Sequence, residues 1–299
     1  MRFDWYSATI RDDSYAVLHQ VASALRATVE NGRPRNGYEF GALIRRDDST
    51  LCTILFGGAN GDPHLIVSSD DCDEVVPMIR GLWPEDHYAT RVDAAEDICE
   101  GVGTWDKLLE IMCAVSDPDL DPERVTRRRL KISQAGDWMR DAEDPEHTGR
   151  TFYVGSEKSA VRARLYEKGK QLNEIARKQG LPEVHDRNLC RVEVQVRPEK
   201  DSRWVAAKGT PEDAYGYADW SRDLLRRLTE ANVERVHIRE RRESDLERAL
   251  SWMVKQYGEH LSTLAANLGD RRGPDWDKLG ADLLRRVLKA RDAGEPAAA

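Results

Sequence analysis

Three short stretches of this chain carry side chains suited to phosphodiester chemistry at every second position. Arg162, Arg164, Tyr166 and Lys168 alternate with Val161, Ala163 and Leu165, and Arg191, Glu193, Gln195 and Arg197 alternate with Val192, Val194 and Val196. Arg91, Asp93 and Ala95 alternate with Val92 and Ala94 in the same way. A period of two is that of a β-strand, so each stretch predicts one packed face and one wet face. As neighbours about 4.8 Å apart in a sheet, the three strands would gather Asp93, Tyr166, Lys168 and Glu193 on a single face.

Moving a phosphodiester requires a nucleophile, a stabilising cation and a grip on the phosphate. A tyrosine hydroxyl, with an ordinary pKa of about 10, must be activated by a metal ion or a neighbouring positive charge. Lys168, read as lying on the same strand face two residues beyond Tyr166, could supply part of that charge. Asp93 and Glu193 are hard oxygen donors suited to Mg²⁺ or Mn²⁺, and two carboxylates leave room in an octahedral shell for water and substrate oxygens. Asp97, expected beyond the strand end, and Gln195, chosen by its face alone, are extra candidates. The pattern has a plainer explanation too: an antiparallel sheet with one solvated face and cross-strand ion pairs.

The elements that would position these residues mix strands with helices. A first strand is expected over 2–10, with Phe3, Trp5 and Ser7 opposite Asp4, Tyr6 and Ala8. Turn-separated runs near 38–46, 50–57 and 63–68 read as an antiparallel meander. A helix through Val75, Val76 and Ile79 follows, then a strand near 87–95 and a helix near 104–115. Beyond an acidic loop at 116–123, a basic strand is expected near 125–133 and a loop over 137–149. Strands over 151–155, 160–168 and 189–197 then enclose a helix ending at Gly180. The remainder reads as helical: one helix opening at Thr210-Pro211-Glu212, others near 243–267 and 276–291, and a frayed tail from Gly294. The fold class is therefore α+β: a mostly antiparallel sheet with a polar active-site face, packed by helices, plus a helical C-terminal region. The domain reading is a catalytic part over 1–200, its β-α-β portions near 63–97 and 150–197 being candidate related halves, and a C-terminal part over 201–299 for bracing or DNA binding.

The net charge of −8 argues against a polyanionic partner only if the charge is spread evenly. It is not: residues 1–120 balance at −12, residues 121–200 at +4, and the rest at zero. Such a chain can hold a local cationic groove. The basic residues Arg124, Arg127, Arg128, Arg129 and Lys131 are candidates for phosphate contact or simple solvation. Those of the C-terminal region, Arg222, Arg226, Arg227, Arg235, Arg239, Arg241 and Arg242, fit bracing better than groove reading because strong apolar stripes accompany them. The five cysteines show no paired spacing, no apolar run reaches the roughly 18 residues of a membrane span, and the N-terminus lacks the apolar core of a secretory signal. A reducing cytoplasm and no membrane partner are expected.

Thr151-Phe152-Tyr153-Val154-Gly155-Ser156, Arg162-Ala163-Arg164-Leu165-Tyr166-Glu167-Lys168 and Arg191-Val192-Glu193-Val194-Gln195-Val196-Arg197 together resemble the rolling-circle replication initiation factor family. That family includes trans-acting plasmid initiators, nicking relaxases of integrative elements and replication proteins of filamentous phages. Phe3-Asp4-Trp5-Tyr6-Ser7-Ala8-Thr9 and Arg91-Val92-Asp93 resemble its phage-type branch. The resemblance covers about residues 1–200 and implies an enzyme that nicks one strand at an origin, links its tyrosine to the 5′-phosphate and frees a 3′-hydroxyl to prime synthesis. By position, Tyr166 would be the nucleophile, Lys168 and Arg164 would lie near the phosphate, and Asp93 and Glu193 would ligate Mg²⁺ or Mn²⁺. Implied partners are supercoiled or single-stranded origin DNA and a host helicase and polymerase, with a homodimer left open. Tyr153 is the competing tyrosine, read as a packing or DNA-stacking residue, whereas Tyr6, Tyr88, Tyr215 and Tyr217 read as packing. The seven histidines contain no His-hydrophobic-His pair, which excludes the simple form of a rival nickase motif. The alternatives are a non-enzymatic DNA-binding regulator that retains the fold, a relaxase serving mobilisation, and a structural protein with a merely solvated sheet face.

Overall fold

The computed structural model describes residues 1–121, 128–144, 146–229, 233, 245–270 and 273–292. The chain divides into two compact units, Met1–Ile238 and Arg239–Ala299. The first is built on ten antiparallel strands: β1 (Arg2–Ile10), β2 (Thr28–Gly32), β3 (Phe40–Arg46), β4 (Ser49–Phe56), β5 (His64–Ser68), β6 (His87–Ile98), β7 (Ile132–Gly136), β8 (Arg150–Val154), β9 (Val161–Tyr166) and β10 (Cys190–Val196). They lie in the order β2-β3-β4-β5-β1-β6-β10-β9-β8-β7. Helices α1 (Ser14–Ala24), α2 (Cys72–Leu82), α3 (Thr104–Ser116), α4 (Lys168–Lys178), α5 (Ser202–Lys208) and α6 (Asp219–Thr229) complete this unit, so the helices of 202–229 belong with the sheet. The architecture is the α+β class expected.

The core covers one sheet face. Tyr6, Ala8, Ile10, Val92, Ala94, Val192, Val194, Ala163 and Leu165 are buried there with Val17 and Val21 of α1, Val75 and Ile79 of α2, and Leu224 and Leu225 of α6. At about 25 cal/mol per Å² of apolar area removed from water, such burial is the main force holding helices to the sheet. Helix α6 is also braced by charge: Asp223 accepts from Arg226 and Arg227, and Arg227 also bonds Asp121. The second unit contains α7 (Asp245–Leu268) and α8 (Trp276–Asp292), with an antiparallel bridge between Asp270 and Gly273. Of its expected apolar stripe Leu279 is buried, while Trp276 and Leu284 are exposed. Among the described residues no helix is long and apolar enough to cross a membrane.

Several boundaries differ from the sequence expectation for identifiable reasons. Helix α1 went unpredicted, although Asp13 caps it by accepting from the amides of Tyr15 and Ala16 and Val17, Leu18, Val21 and Ala22 form its buried stripe. The basic strand expected near 125–133 is instead the edge strand β7 from Ile132, whose register with β8 pairs Ile132 with Val154. Arg129 precedes it in a loop, ion-paired to Asp117 and Asp119. Arg124, Arg127, Arg235, Arg239, Arg241, Arg242 and the tail from Gly294 lie outside the described residues. The two β-α-β stretches also differ: β9 and β10 are direct antiparallel neighbours, whereas β1 lies between β5 and β6.

One glycine fixes the start of α4. A Cβ at Gly169 would stand 1.7 Å from the Asp186 carbonyl oxygen, while the Gly169 amide donates to Leu189 O at 2.9 Å. The obstacle is backbone, which cannot swing away. Gly169→Ala is therefore expected to destabilise the fold by at least about 1–3 kcal/mol, as overpacking does, read as a lowered thermal midpoint. An unchanged midpoint would show that the 184–189 loop yields freely.

Candidate active site

The face opposite the core gathers the polar residues of β1, β6, β10 and β9. Register places Trp5 beside Asp93 and Ser7 beside Arg91. It places Asp93 beside Gln195, and Arg162, Arg164 and Tyr166 beside Gln195, Glu193 and Arg191. Two β-bulges aim side chains onto this face. Phe3 pairs with Ala94 and Trp5 with Asp93, so Asp4 is the extra residue of β1. The simple alternation expected for 2–10 is thereby corrected: Phe3 turns to the core while Trp5 remains on the polar face. On β6 the extra residue is Thr90, because Ser7 pairs with Arg91 but Ala8 with Ala89. A bulge resets the facing of everything beyond it, which a count of alternate positions cannot anticipate.

Each acidic candidate is held by arginine. Arg91 donates to both oxygens of Asp93, from Nε at 2.9 Å and from Nη2 at 2.5 Å, and Gln195 Nε2 lies 3.5 Å from Asp93 Oδ2. Arg164 donates twice to Glu193, from Nε at 3.0 Å and Nη2 at 2.6 Å, both to Oε2. Among the described residues Glu193 Oε1 has no hydrogen-bond partner. Asp97 is not beyond the strand end, because β6 runs to Ile98 and pairs Asp97 with Arg191. Arg191 bonds both Asp97 oxygens, at 2.5 and 2.6 Å, and reaches Asp4 at 2.6 Å. Asp4, which sequence reasoning did not single out, therefore belongs to the site. Asp93 and Glu193 are buried. Burial first, and then the Asp93 and Asp4 carboxylates, push the Glu193 carboxyl up against the opposing pull of Arg164.

Tyr166 ends β9 beneath two cations: the Arg164 guanidinium is 4.7 Å and the Lys168 ammonium 5.7 Å from its ring centroid. The residue is only 6% exposed, and burial pushes its hydroxyl up to about 12, with Arg191 and Arg164 acting the other way. Lys168 is not on the strand as expected. It opens helix α4, because the chain leaves the sheet at Glu167. The ammonium nonetheless reaches the Tyr166 ring, and burial followed by the Arg191 charge lowers its pKa.

Glu167 is a positioning residue that sequence reasoning missed. Pointing away from Tyr166, it is 4% exposed and accepts from the Arg150 amide at 2.8 Å, the Arg150 guanidinium at 3.0 and 3.1 Å, and Lys170 at 2.7 Å. It ties the end of β9 to the start of β8 and to α4. Burial acts to raise the Glu167 pKa, but the bonds from Arg150 and Lys170 outweigh it and hold the carboxyl below its ordinary value. Glu167→Gln should cost about 3–5 kcal/mol, since it strands buried cations. A depressed folded pKa gives stability that is present above the unfolded value of about 4.3 and lost as pH falls through the folded one. The gap in thermal midpoint between wild type and variant should thus be full at neutral pH and shrink in acid. A gap independent of pH would remove the ionic explanation.

Beside these residues lies a pocket of about 250 Å³ lined by Arg91, Tyr153, Arg162, Arg164, Glu193 and Arg197, among others. Four guanidinium groups face a single carboxylate there, so the locally cationic groove exists despite the acidic whole. Arg162 stacks on Tyr153 at 4.0 Å, and its Nε is buried without a protein partner among the described residues. An anion with several acceptor oxygens, such as a phosphodiester, fits this lining.

The replication initiation factor family matches this chain over residues 88–273. The chain belongs to that family. The match contains Asp93, Arg164, Tyr166, Lys168 and Glu193, and leaves Asp4 and Trp5 outside it. Membership gives the protein a role as a replication initiator. Among solved structures, a rolling circle replication initiator protein from Geobacillus stearothermophilus is similar at 18% identity with a TM-score of 0.47, over 82% of this chain and 89% of that one. No curated protein matches.

Proposed function

We propose that this replication initiation factor is a site-specific DNA nicking and joining enzyme that starts rolling-circle replication. Tyr166 Oη attacks the scissile phosphorus, forming a 5′-phosphotyrosine bond as the bond to the 3′-oxygen breaks, and the freed 3′-hydroxyl primes synthesis. The reading rests above all on one observation: Tyr166, Arg164, Glu193 and Asp93 share one face of three adjacent strands, beside a pocket rich in guanidinium groups. Arg164 and Lys168 hold the phosphate oxygens and favour the phenolate. The phenol is protonated at neutral pH, so its activation comes with substrate and metal.

Asp93 and Glu193 are the proposed ligands of Mg²⁺ or Mn²⁺. Their donor chemistry fits: both are buried carboxylates on adjacent strands, and Glu193 keeps one oxygen free of protein bonds. Among the described residues no group of three His, Cys, Asp or Glu side chains is gathered to hold a metal ion. A Mg²⁺ site with one or two carboxylates, completed by water and substrate phosphate, needs no third. When bound, the ion would polarise the phosphate and offset its developing charge. Arg91 and Arg164 neutralise the carboxylates in the structure, and both also line the pocket into which a phosphate would draw them.

Tyr153 lines that pocket as well, and a half-buried tyrosine beside Arg164 is the specific ground for a second reading in which it attacks instead. The test is an SDS-resistant adduct assay with supercoiled and single-stranded DNA bearing the element's own origin, in Mn²⁺ or EDTA, with mass spectrometry of the linked peptide. A metal-dependent adduct at Tyr166 is expected. DNA binding with no adduct would instead make the protein a regulator. Origin DNA is the proposed partner, with a helicase and polymerase acting on the nicked template. Replication and mobilisation share this chemistry.

A further inference from the structure

A second pocket opens on the same sheet face, with a volume of about 570 Å³. Register builds its floor: His64 of β5, Thr9 of β1 and Tyr88 of β6 lie in one row across the sheet. Tyr38, from the β2–β3 connection, stacks on His64 at 5.8 Å between centroids and 16° between planes. Glycine is required at position 58, where a Cβ would stand 2.7 Å from the Tyr38 ring. Burial and then the Arg35 charge lower His64 to about 4, so its ring is neutral at physiological pH. On the other side Tyr88 packs on Trp204 at 5.2 Å, and Arg11 and Arg203 each lie 5.8 Å from the Tyr88 centroid.

The lining combines aromatic faces, the amides of Asn36 and Asn60, and the Arg203 guanidinium, and it includes no carboxylate. Among the described residues the hydroxyls of Tyr38 and Tyr88 have no hydrogen-bond partner. Ring faces suit a planar aromatic guest, amides and hydroxyls suit the edge of a base, and guanidinium suits its phosphate. A base can enter such a cleft only when unpaired, because in a duplex both of its faces are stacked.

The pocket lies on the same sheet face as the candidate active site, and Thr90 of its lining adjoins Arg91 of the guanidinium-rich pocket. Tyr88 and Asp93 share β6, roughly 16 Å apart at about 3.3 Å per residue, and the bulge at Thr90 keeps both on the polar face. Between them Arg91 covers Trp5 at 4.6 Å. Arginine–aromatic pairs thus run from Tyr153 and Tyr166 through Trp5 to Tyr88, a spacing of cations and ring faces that a single strand can follow.

We propose that the cleft between Tyr38 and Tyr88 receives an unpaired nucleobase of the DNA strand whose phosphate lies at the Asp93–Glu193 site. This rests on the DNA-cleaving reading but is tested without cleavage. Binding of a labelled oligothymidylate is compared by fluorescence anisotropy with that of an abasic phosphodiester of equal length, in EDTA. Wild type should prefer the oligothymidylate. Tyr38→Ala should weaken that binding about 5- to 150-fold, the range for losing one stacked base, while barely changing abasic binding, and Tyr38→Phe should restore it. Oligothymidylate binding unchanged in Tyr38→Ala overturns the proposal. Should that variant not fold, 2-aminopurine placed in an oligonucleotide reports on wild type, where quenching on binding is expected and unaltered emission at every position overturns the proposal. Absence of an adduct with base preference intact counts against Tyr166 alone. An adduct-forming protein that binds both oligomers equally counts against the base pocket alone.

Discussion

Tyr166→Phe should fold, bind origin DNA as wild type does, and leave no SDS-resistant adduct, with nicking reduced at least about a thousandfold, as loss of a nucleophile requires. Phenylalanine keeps the ring that Arg164 and Lys168 cover at 4.7 and 5.7 Å, so the cation stack and the end of β9 persist. Only the oxygen that would bond to phosphorus is removed. An unfolding free energy within about 1 kcal/mol of wild type would confirm that the loss is chemical, because among the described residues no hydrogen bond ends on that hydroxyl. Persistent nicking with the adduct at Tyr153 would transfer the nucleophile to the tyrosine that lines the guanidinium-rich pocket. Persistent nicking with no adduct would reject a covalent mechanism.

The second large effect is expected from Asp93→Asn combined with Glu193→Gln. If these carboxylates hold the ion, Mn²⁺ binding followed by electron paramagnetic resonance should vanish and nicking should fall at least about a hundredfold, the scale of losing preorganised charge stabilisation. Binding of a short oligonucleotide in EDTA should move in the opposite direction. Arg91 and Arg164 lose their partners, two negative charges leave the edge of a cationic pocket, and affinity at low salt should rise and become more salt-dependent. A merely structural ion-pair ladder makes a different forecast: destabilisation with unchanged Mn²⁺ binding. The opposite signs for metal and DNA separate the two accounts in one variant.

Much of the site was legible because strand geometry is local. Alternation at 91–95, 161–166 and 191–196 places Asp93, Arg164, Tyr166 and Glu193 on polar faces, and the structure makes β6, β10 and β9 neighbours in register. The same local rule failed where the chain departs from it. Phe3 and Trp5 share parity but face opposite sides because Asp4 is a bulge. Lys168 has the parity of Tyr166, yet it lies on α4 because Glu167 is drawn into the buried network with Arg150 and Lys170. Arg191 read as a polar-face residue, but its bonds to Asp4 and Asp97 join segments that lie far apart in the sequence.

By itself the sequence determined the α+β class, the resemblance to replication initiators, and the residue types available for metal, phosphate and nucleophile. These depend on composition, period and short strings, each fixed by side chains a few positions apart. Only the tertiary structure decided which arginine neutralises which carboxylate, how deeply Tyr166 is buried, and that Tyr38 from one connection stacks on His64 and lines a pocket with Tyr88 from another strand. Such contacts arise from strand order and bulges, where a one-residue change in register turns a side chain from solvent to core. That information lies in how distant segments pair, and no local pattern contains it.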